Sequence, residues 1–118
     1  MGNSRYKFRA WNLTSRGMKT HHQTLELMLY GSSFLYPIMQ YTGLKDKNGV
    51  EIYEGDLVAL PYKSSKDMIF RVTYSNNRAS YECINIKDDS IVRFFNGGGS
   101  DYTIIGNIYQ NKELLDDN

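Results

Sequence analysis

With 118 residues and a formal net charge of +1, the chain is long enough for one domain and close to neutral. A chain of this length buries about two thirds of its unfolded surface, so it can fold without disulfides or metals. The small net charge argues against general nucleic-acid binding, and no apolar run approaches the ~18 residues of a membrane span. The start of the chain contains no hydrophobic signal region, which predicts a cytosolic protein with no membrane partner.

The first predicted strand, in the segment RYKFRAW, carries positive charge on one face. Alternation places Arg5, Lys7, Arg9 and Trp11 on the same side of this strand. Residues 1–25 contain five cations and no acid, whereas the rest of the chain contains nine cations and thirteen acids. Such a face can bind an anion, dock on the acidic surface of a neighbouring subunit, or keep an edge strand solvated. The residues alone favour the solvated edge strand and leave the other two interpretations open.

The next segment predicts a turn and then a second strand. Residues 12–19 are rich in turn formers, and the alternation in residues 24–30, TLELMLY, is typical of a strand. The segment is also short enough for a helical turn. His21 and His22 are the only histidines, and neighbouring strand residues point to opposite faces, so the pair cannot chelate one metal ion without a further partner. We interpret them as a solvated loop pair.

Residues 39–58, MQYTGLKDKNGVEIYEGDLV, combine three glycines with a group of charged side chains. Asn48-Gly49 is a strong hairpin signal because both residues tolerate the positive φ of a tight turn. The oxygen-bearing side chains that could suggest a calcium site are Asp46, Asn48, Glu51, Glu54 and Asp56. Their spacing does not match an EF-hand loop, and nothing in the sequence indicates that any of these acids is buried. No metal site and no catalytic acid is predicted.

The C-terminal half predicts two hairpins and a short helix. Residues 68–74 and 79–87 alternate as two strands around a turn, with Cys83 interpreted as a small buried hydrophobe and not a nucleophile. Two further strands flank Gly97, Gly98 and Gly99. This glycine run lacks the lysine and the following helix of a phosphate-binding loop, so a flexible hairpin tip is favoured.

Short strands at close spacing and an excess of aromatic residues predict a mainly β fold, either a small barrel or a strongly curled antiparallel sheet. We predict one domain over residues 1–118. It comprises an N-terminal β segment at 1–38, a barrel core at 39–110, and a short helical turn with an acidic tail at 111–118.

Three segments, KFRAW, the 39–58 segment and IIGNIYQNKELL, together resemble the YopX-like family of small proteins encoded by bacteriophages and prophages of Gram-positive bacteria. The resemblance implies a mostly β protein with a central SH3-like barrel that tends to form oligomers in the host cytoplasm. It implies no established enzymatic activity, and no cofactor is predicted. Residues 39–58 are then interpreted as a turn framework in which Gly43, Gly49 and Gly55 provide backbone freedom.

The leading functional hypothesis is a non-catalytic phage accessory protein whose homo-oligomer binds and sequesters a small nucleotide signal of a host defence system. Arg5, Lys7 and Arg9 would neutralise phosphate, and Trp11 or a nearby tyrosine would stack the base. Gly97 to Gly99 would close over the ligand. The alternative is an SH3-like adaptor that binds nucleic acid or a host protein, and a small nucleotide hydrolase using an acid of residues 46–56 comes third.

Overall fold

The computed structural model describes residues 6–29, 36–60, 68–93 and 102–115. Strands account for 47% and helices for 16% of these residues, which confirms the mainly β prediction. The chain divides into two units, residues 1–41 and residues 42–118.

The first unit is built around β1 (Phe8–Trp11), which pairs antiparallel with a strand on each side. On one side β2 (Met18–Lys19) places Lys19 opposite Ala10. On the other side the first residues of β3 (Ile38–Lys45) place Met39 opposite Arg9. Because β1 is an interior strand, the interpretation of its basic face as the solvated face of an edge strand is wrong.

The described segment between β2 and β3 contains a helix, α1 (His21–Leu29), where the sequence analysis favoured a strand over residues 24–30. Thr20 and Gln23 form a reciprocal cap: the Thr20 amide donates to Gln23 Oε1 at 2.9 Å, and the Gln23 amide donates to Thr20 Oγ1 at 3.2 Å. The T-x-x-Q pattern of this cap and the helix-forming Leu, Glu and Met residues that follow outweigh the alternation. His21 and His22 therefore begin a helix, and the loop interpretation of this pair is wrong.

The second unit is a curled antiparallel half-barrel. Its strands are β4 (Glu51–Tyr53), β5 (Asp56–Ala59), β6 (Ile69–Ser75), β7 (Ser80–Asn85), β8 (Ile91–Arg93) and β9 (Thr103–Asn107), followed by the short helix α2 (Lys112–Leu115). Five of them form a sheet in the order β8-β7-β6-β5-β9. A register shift between Leu57 and Val58, where β5 pairs with β9, bends the sheet. The predicted curled sheet and C-terminal helix are confirmed.

The core of the second unit is an apolar cluster on one face of this sheet, formed by Ile52, Val58, Phe70, Val72, Cys83 and Tyr102. The rings of Phe70 and Tyr102 meet edge to face at a centroid distance of 6.1 Å. Burial raises the pKa of the Cys83 thiol to about 12, against a smaller opposing effect of a hydrogen bond with Tyr102. The thiol stays protonated at neutral pH, which confirms Cys83 as a buried hydrophobe.

The β6–β7 hairpin contains one strained residue. Ala79 adopts a φ of 51° in the turn that joins the strands, a conformation that disfavours a side chain. The turn is otherwise well supported, since the Arg78 amide donates to Ser75 Oγ at 3.2 Å. The Arg78 guanidinium also pairs at 3.1 Å with the buried carboxylate of Glu82.

Replacing Ala79 with Gly is expected to raise the free energy of unfolding by about 0.5–1 kcal/mol, because glycine adopts this positive φ without strain. Urea unfolding followed by circular dichroism measures the change. Ala59→Gly is the matched control, because Ala59 lies in β5, where glycine is expected to destabilise the protein. Equal destabilisation by both substitutions would show that the turn is not strained at Ala79.

Candidate functional site

The segment 39–58 forms the turn framework that the sequence predicts. Gly43, Gly49 and Gly55 have φ values of 89°, 82° and 86°, all in the left-handed region that glycine adopts easily. Asn48 departs from the prediction, since only Arg16, Ala79 and Asp89 combine a positive φ with a side chain among the described residues. Of the Asn48-Gly49 pair, only Gly49 therefore adopts the left-handed conformation.

Asp46 supports the turn between β3 and β4 and also reaches β9. Its Oδ1 accepts the amides of Asn48 at 2.8 Å and Val50 at 2.9 Å, and its Oδ2 accepts the amide of Ile104 at 3.1 Å. The residue is 5% exposed. Burial opposes ionisation, but the three backbone donors outweigh it and hold the pKa of Asp46 below its usual value.

Asp56 and Glu51 of this segment also have structural roles. Asp56 is 1% exposed, and its Oδ2 accepts the Tyr53 amide at 2.8 Å across the turn between β4 and β5. Glu51 Oε1 accepts the Tyr53 hydroxyl at 3.5 Å. Among the described residues, no group of three His, Cys, Asp or Glu side chains could hold a metal ion. The burial of Asp46 and Asp56 was not predicted, because turn acids are usually solvated.

Two of the predicted binding residues, Lys7 just before β1 and Trp11 at its end, take part in contacts between a cation and an aromatic ring in the first unit. Lys7 and Arg9 are half-buried, and Lys7 Nζ lies 5.6 Å from the centroid of the Tyr41 ring. Trp11 is only 2% exposed, and Arg16 Cζ lies 5.8 Å from the centroid of its ring. Positive charge is therefore held against two aromatic side chains of the same unit.

The exposure of the rings decides which of them can stack on a ligand. A 2% exposed indole has no face open to a base, so stacking on Trp11 requires a rearrangement of its surroundings. Tyr6, immediately before Lys7, is 62% exposed and is the open ring next to the basic strand. The other predicted site residues, Arg5, Gly97, Gly98 and Gly99, lie outside the described residues.

Arg16 is a candidate site residue that the sequence analysis did not single out. Asn12 Oδ1 accepts the amides of Thr14 and Ser15, and the Arg16 amide donates to the Asn12 carbonyl at 2.7 Å. This turn gives Arg16 a φ of 61° and returns the chain over β1. Asn12 after a strand, with Gly17 five positions later, is the local signal that could have predicted the turn.

The two units differ in charge. Residues 1–41 contain five cations and one acid, a net charge of +4. Residues 42–118 contain nine cations and twelve acids, a net charge of −3. The near-neutral total therefore conceals a basic unit and an acidic unit.

Neither helix in the described part of the chain has the length and apolar character needed to cross a membrane.

Comparisons with known proteins agree with the fold. A family model described as YopX protein matches residues 14–116. The crystal structure of protein EF1440 from Enterococcus faecalis is similar to this chain, with 26% sequence identity and a TM-score of 0.63. The similarity covers 93% of this chain and 97% of that chain. No curated protein sequence matches the chain.

Replacing Asp46 with Asn is expected to lower the free energy of unfolding by about 1–3 kcal/mol at neutral pH, because an amide cannot accept all three backbone hydrogen bonds. The lowered pKa means that the contribution of Asp46 is fully present above its usual pKa of 3.8 and is lost as pH falls through the lower pKa of the folded state. Urea unfolding at several pH values measures both effects.

Asp89→Asn is the matched control for this prediction. It removes the same charge from an exposed turn residue whose φ of 61° suits asparagine, so its effect should stay within about 0.5 kcal/mol. An Asp46→Asn protein as stable as the Asp89→Asn protein at neutral pH would contradict the role assigned to the carboxylate.

Proposed function

This chain belongs to the YopX protein family, and from that premise we propose that it is a non-catalytic binding protein whose oligomer holds an anionic ligand of nucleotide type. The observation that carries the proposal is the set of cations against aromatic rings in the first unit. Lys7 lies beside Tyr41, and Arg16 lies beside Trp11. Nucleotides present phosphate and a flat base, and cations beside aromatic rings suit both parts.

Charge distribution supports an anionic ligand. The net charge of +4 on residues 1–41 attracts phosphate, whereas the net charge of −3 on residues 42–118 repels it. Arg9 extends the charge of Lys7 along β1, and both are half-buried, so their charges are less screened than those of solvated side chains. Exposed Tyr6 provides the stacking surface in this proposal.

The chemistry of the second unit supports binding rather than catalysis. Asp46 and Asp56 accept backbone amides, and the thiol of Cys83 is buried with a raised pKa. A general base or a nucleophile needs a side chain that is free to exchange a proton with a substrate. In the proposed role the protein sequesters its ligand without changing it, and the ligand is a nucleotide signal of a host defence system in the cytoplasm of a phage-infected cell.

Native mass spectrometry of gently purified protein, at low and at high salt, tests the proposal directly. A discrete oligomer that carries a stoichiometric adduct of nucleotide mass is the expected result in cells where the defence signal is produced. A bare monomer from those cells would contradict both the oligomer and the ligand.

Lys7→Ala and Arg9→Ala are each expected to weaken binding of the recovered nucleotide about tenfold or more, because each removes a charge-assisted contact to phosphate. Isothermal titration calorimetry measures the affinity, and circular dichroism checks that the fold is retained. Lys45→Ala is the matched control, since Lys45 is an exposed lysine at the end of β3. Unchanged affinity in both the Lys7→Ala and the Arg9→Ala protein would show that these residues are not part of the binding site.

A second candidate function, an adaptor for a host protein or nucleic acid, is favoured by one feature of α1. Leu25, Met28 and Leu29 are 38%, 42% and 81% exposed and recur at the spacing of one helix face. Leu25→Ser with Leu29→Ser would abolish capture of a protein partner and leave nucleotide affinity unchanged. Binding that falls steeply with salt would instead indicate nucleic acid.

A further inference from the structure

We propose that His21 is a pH-sensitive latch that fastens α1 to the basic strand β1 only while its imidazole is neutral. The latch itself is independent of the proposed ligand, whereas its effect on binding rests on the proposed function. The Phe8 amide donates to His21 Nδ1 at 3.0 Å, from the strand to the first residue of the helix. The imidazole also stacks on the Phe8 ring, with centroids 6.1 Å apart and planes inclined by 18°.

The donor in this hydrogen bond fixes the protonation state of the ring. A backbone amide can only donate, so Nδ1 must offer its lone pair and the imidazole must carry its one proton on Nε2. A protonated imidazole carries a hydrogen on both nitrogens and would turn Nδ1–H toward the Phe8 N–H. Protonation of His21 therefore breaks the contact instead of weakening it gradually.

Several charged groups lie on the elements around His21. The charged or titratable groups next to Phe8 and Ala10 on β1, on β2 and on α1 are Arg9 on β1, Lys7 and Tyr6 just before β1, Lys19 on β2, and His22 and Glu26 on α1. Lys19 lies opposite Ala10 and so shares the face of the sheet on which Phe8 lies. The His22 ring lies 6.5 Å away, and the positive end of the helix dipole is at His21 itself.

Lys7 and Arg9 flank Phe8 and lie on the opposite face of the strand from it. Glu26, the one acid in this unit, is five positions further along α1 and lies on a different side of the helix.

The latch matters for binding because Phe8 lies between Lys7 and Arg9. The hydrogen bond to His21 holds the backbone of β1 at the residue that sets the spacing of these two cations. Imidazole gains its proton as pH falls from neutral to mildly acidic values. Acidification is therefore expected to release α1 from β1 and to disorder the cationic pair, although it adds positive charge to the unit.

An NMR titration of the Phe8 amide tests the latch without any ligand. Between about pH 7.5 and about pH 5, the Phe8 amide shift and its exchange with solvent should follow the protonation of His21. His21→Asn is the informative variant, because the Asn carbonyl oxygen can replace Nδ1 as acceptor but does not titrate. In His21→Asn the Phe8 amide shift, and its protection relative to the intrinsic exchange rate at each pH, should be insensitive to pH over this range. His22→Asn, the matched control at an exposed neighbour, should keep the wild-type response.

The expected size of the effect follows from the loss of one hydrogen bond. On acidification, the protection of the Phe8 amide should fall about fivefold in the wild-type protein relative to His21→Asn. A Phe8 amide that stays protected while His21 gains its proton would overturn the proposal. A His21→Asn protein whose Phe8 amide responds to pH as the wild-type amide does would also overturn the proposal.

A second arm separates the latch from the proposed function. With cyclic diadenylate as the probe, wild-type affinity should fall on acidification by about the same factor, and the affinity of His21→Asn should not fall. A pH-sensitive Phe8 amide with no probe binding at any pH would support the latch and count against the nucleotide ligand. Probe binding together with a pH-insensitive Phe8 amide would support the nucleotide ligand and count against the latch.

Discussion

The buried carboxylate of Asp46 is the constraint on which the second unit depends. One oxygen organises the turn between β3 and β4, and the other satisfies an amide of β9, 58 residues further along the chain. The neighbouring Lys47 amide donates to the Tyr102 carbonyl at 2.9 Å, so turn and strand meet at two points. A strand at the edge of a sheet leaves amides and carbonyls without partners. At the edge strand β9, the turn between β3 and β4 supplies some of the hydrogen-bond partners that another strand would supply. The half-barrel therefore needs no further strand at that position.

The first unit carries a net positive charge, whereas the second unit contains buried polar side chains that support its turns. In the first unit, cations lie against aromatic rings, and a helix cap and a histidine hold α1 in place. In the second unit, side chains of Asp46, Asp56 and Asn107 accept backbone amides in turns. These three side chains are thus committed to structure. For the proposed function, this division favours the first unit as the ligand-binding part.

The sequence predicts the second unit well because its signals are local. Turn chemistry accounts for the glycines at positions 43, 49 and 55. Periodicity accounts for β6, β7 and the short C-terminal helix. The burial of Asp46 could not be predicted, because it depends on Ile104, and no short-range pattern indicates that contact. In the first unit the leucine alternation favoured a strand, whereas the cap by Thr20 and Gln23 decides for a helix. Trp11, with a nearby tyrosine as the alternative, was predicted to stack on a base, but the ring is buried, and burial depends on packing that alternation does not report.

The strand order also constrains how the protein is made. Strands β5, β6, β7 and β8 pair with their neighbours in sequence, so each hairpin can form as soon as it leaves the ribosome. The partner of the other edge of β5 is β9, which is synthesised last in the sheet. That edge, with the buried residues Leu57 and Val58, stays open during much of translation. Loop closure makes such distant pairing slow, so the nascent chain exposes an apolar strand edge that another chain or a chaperone can reach before β9 arrives.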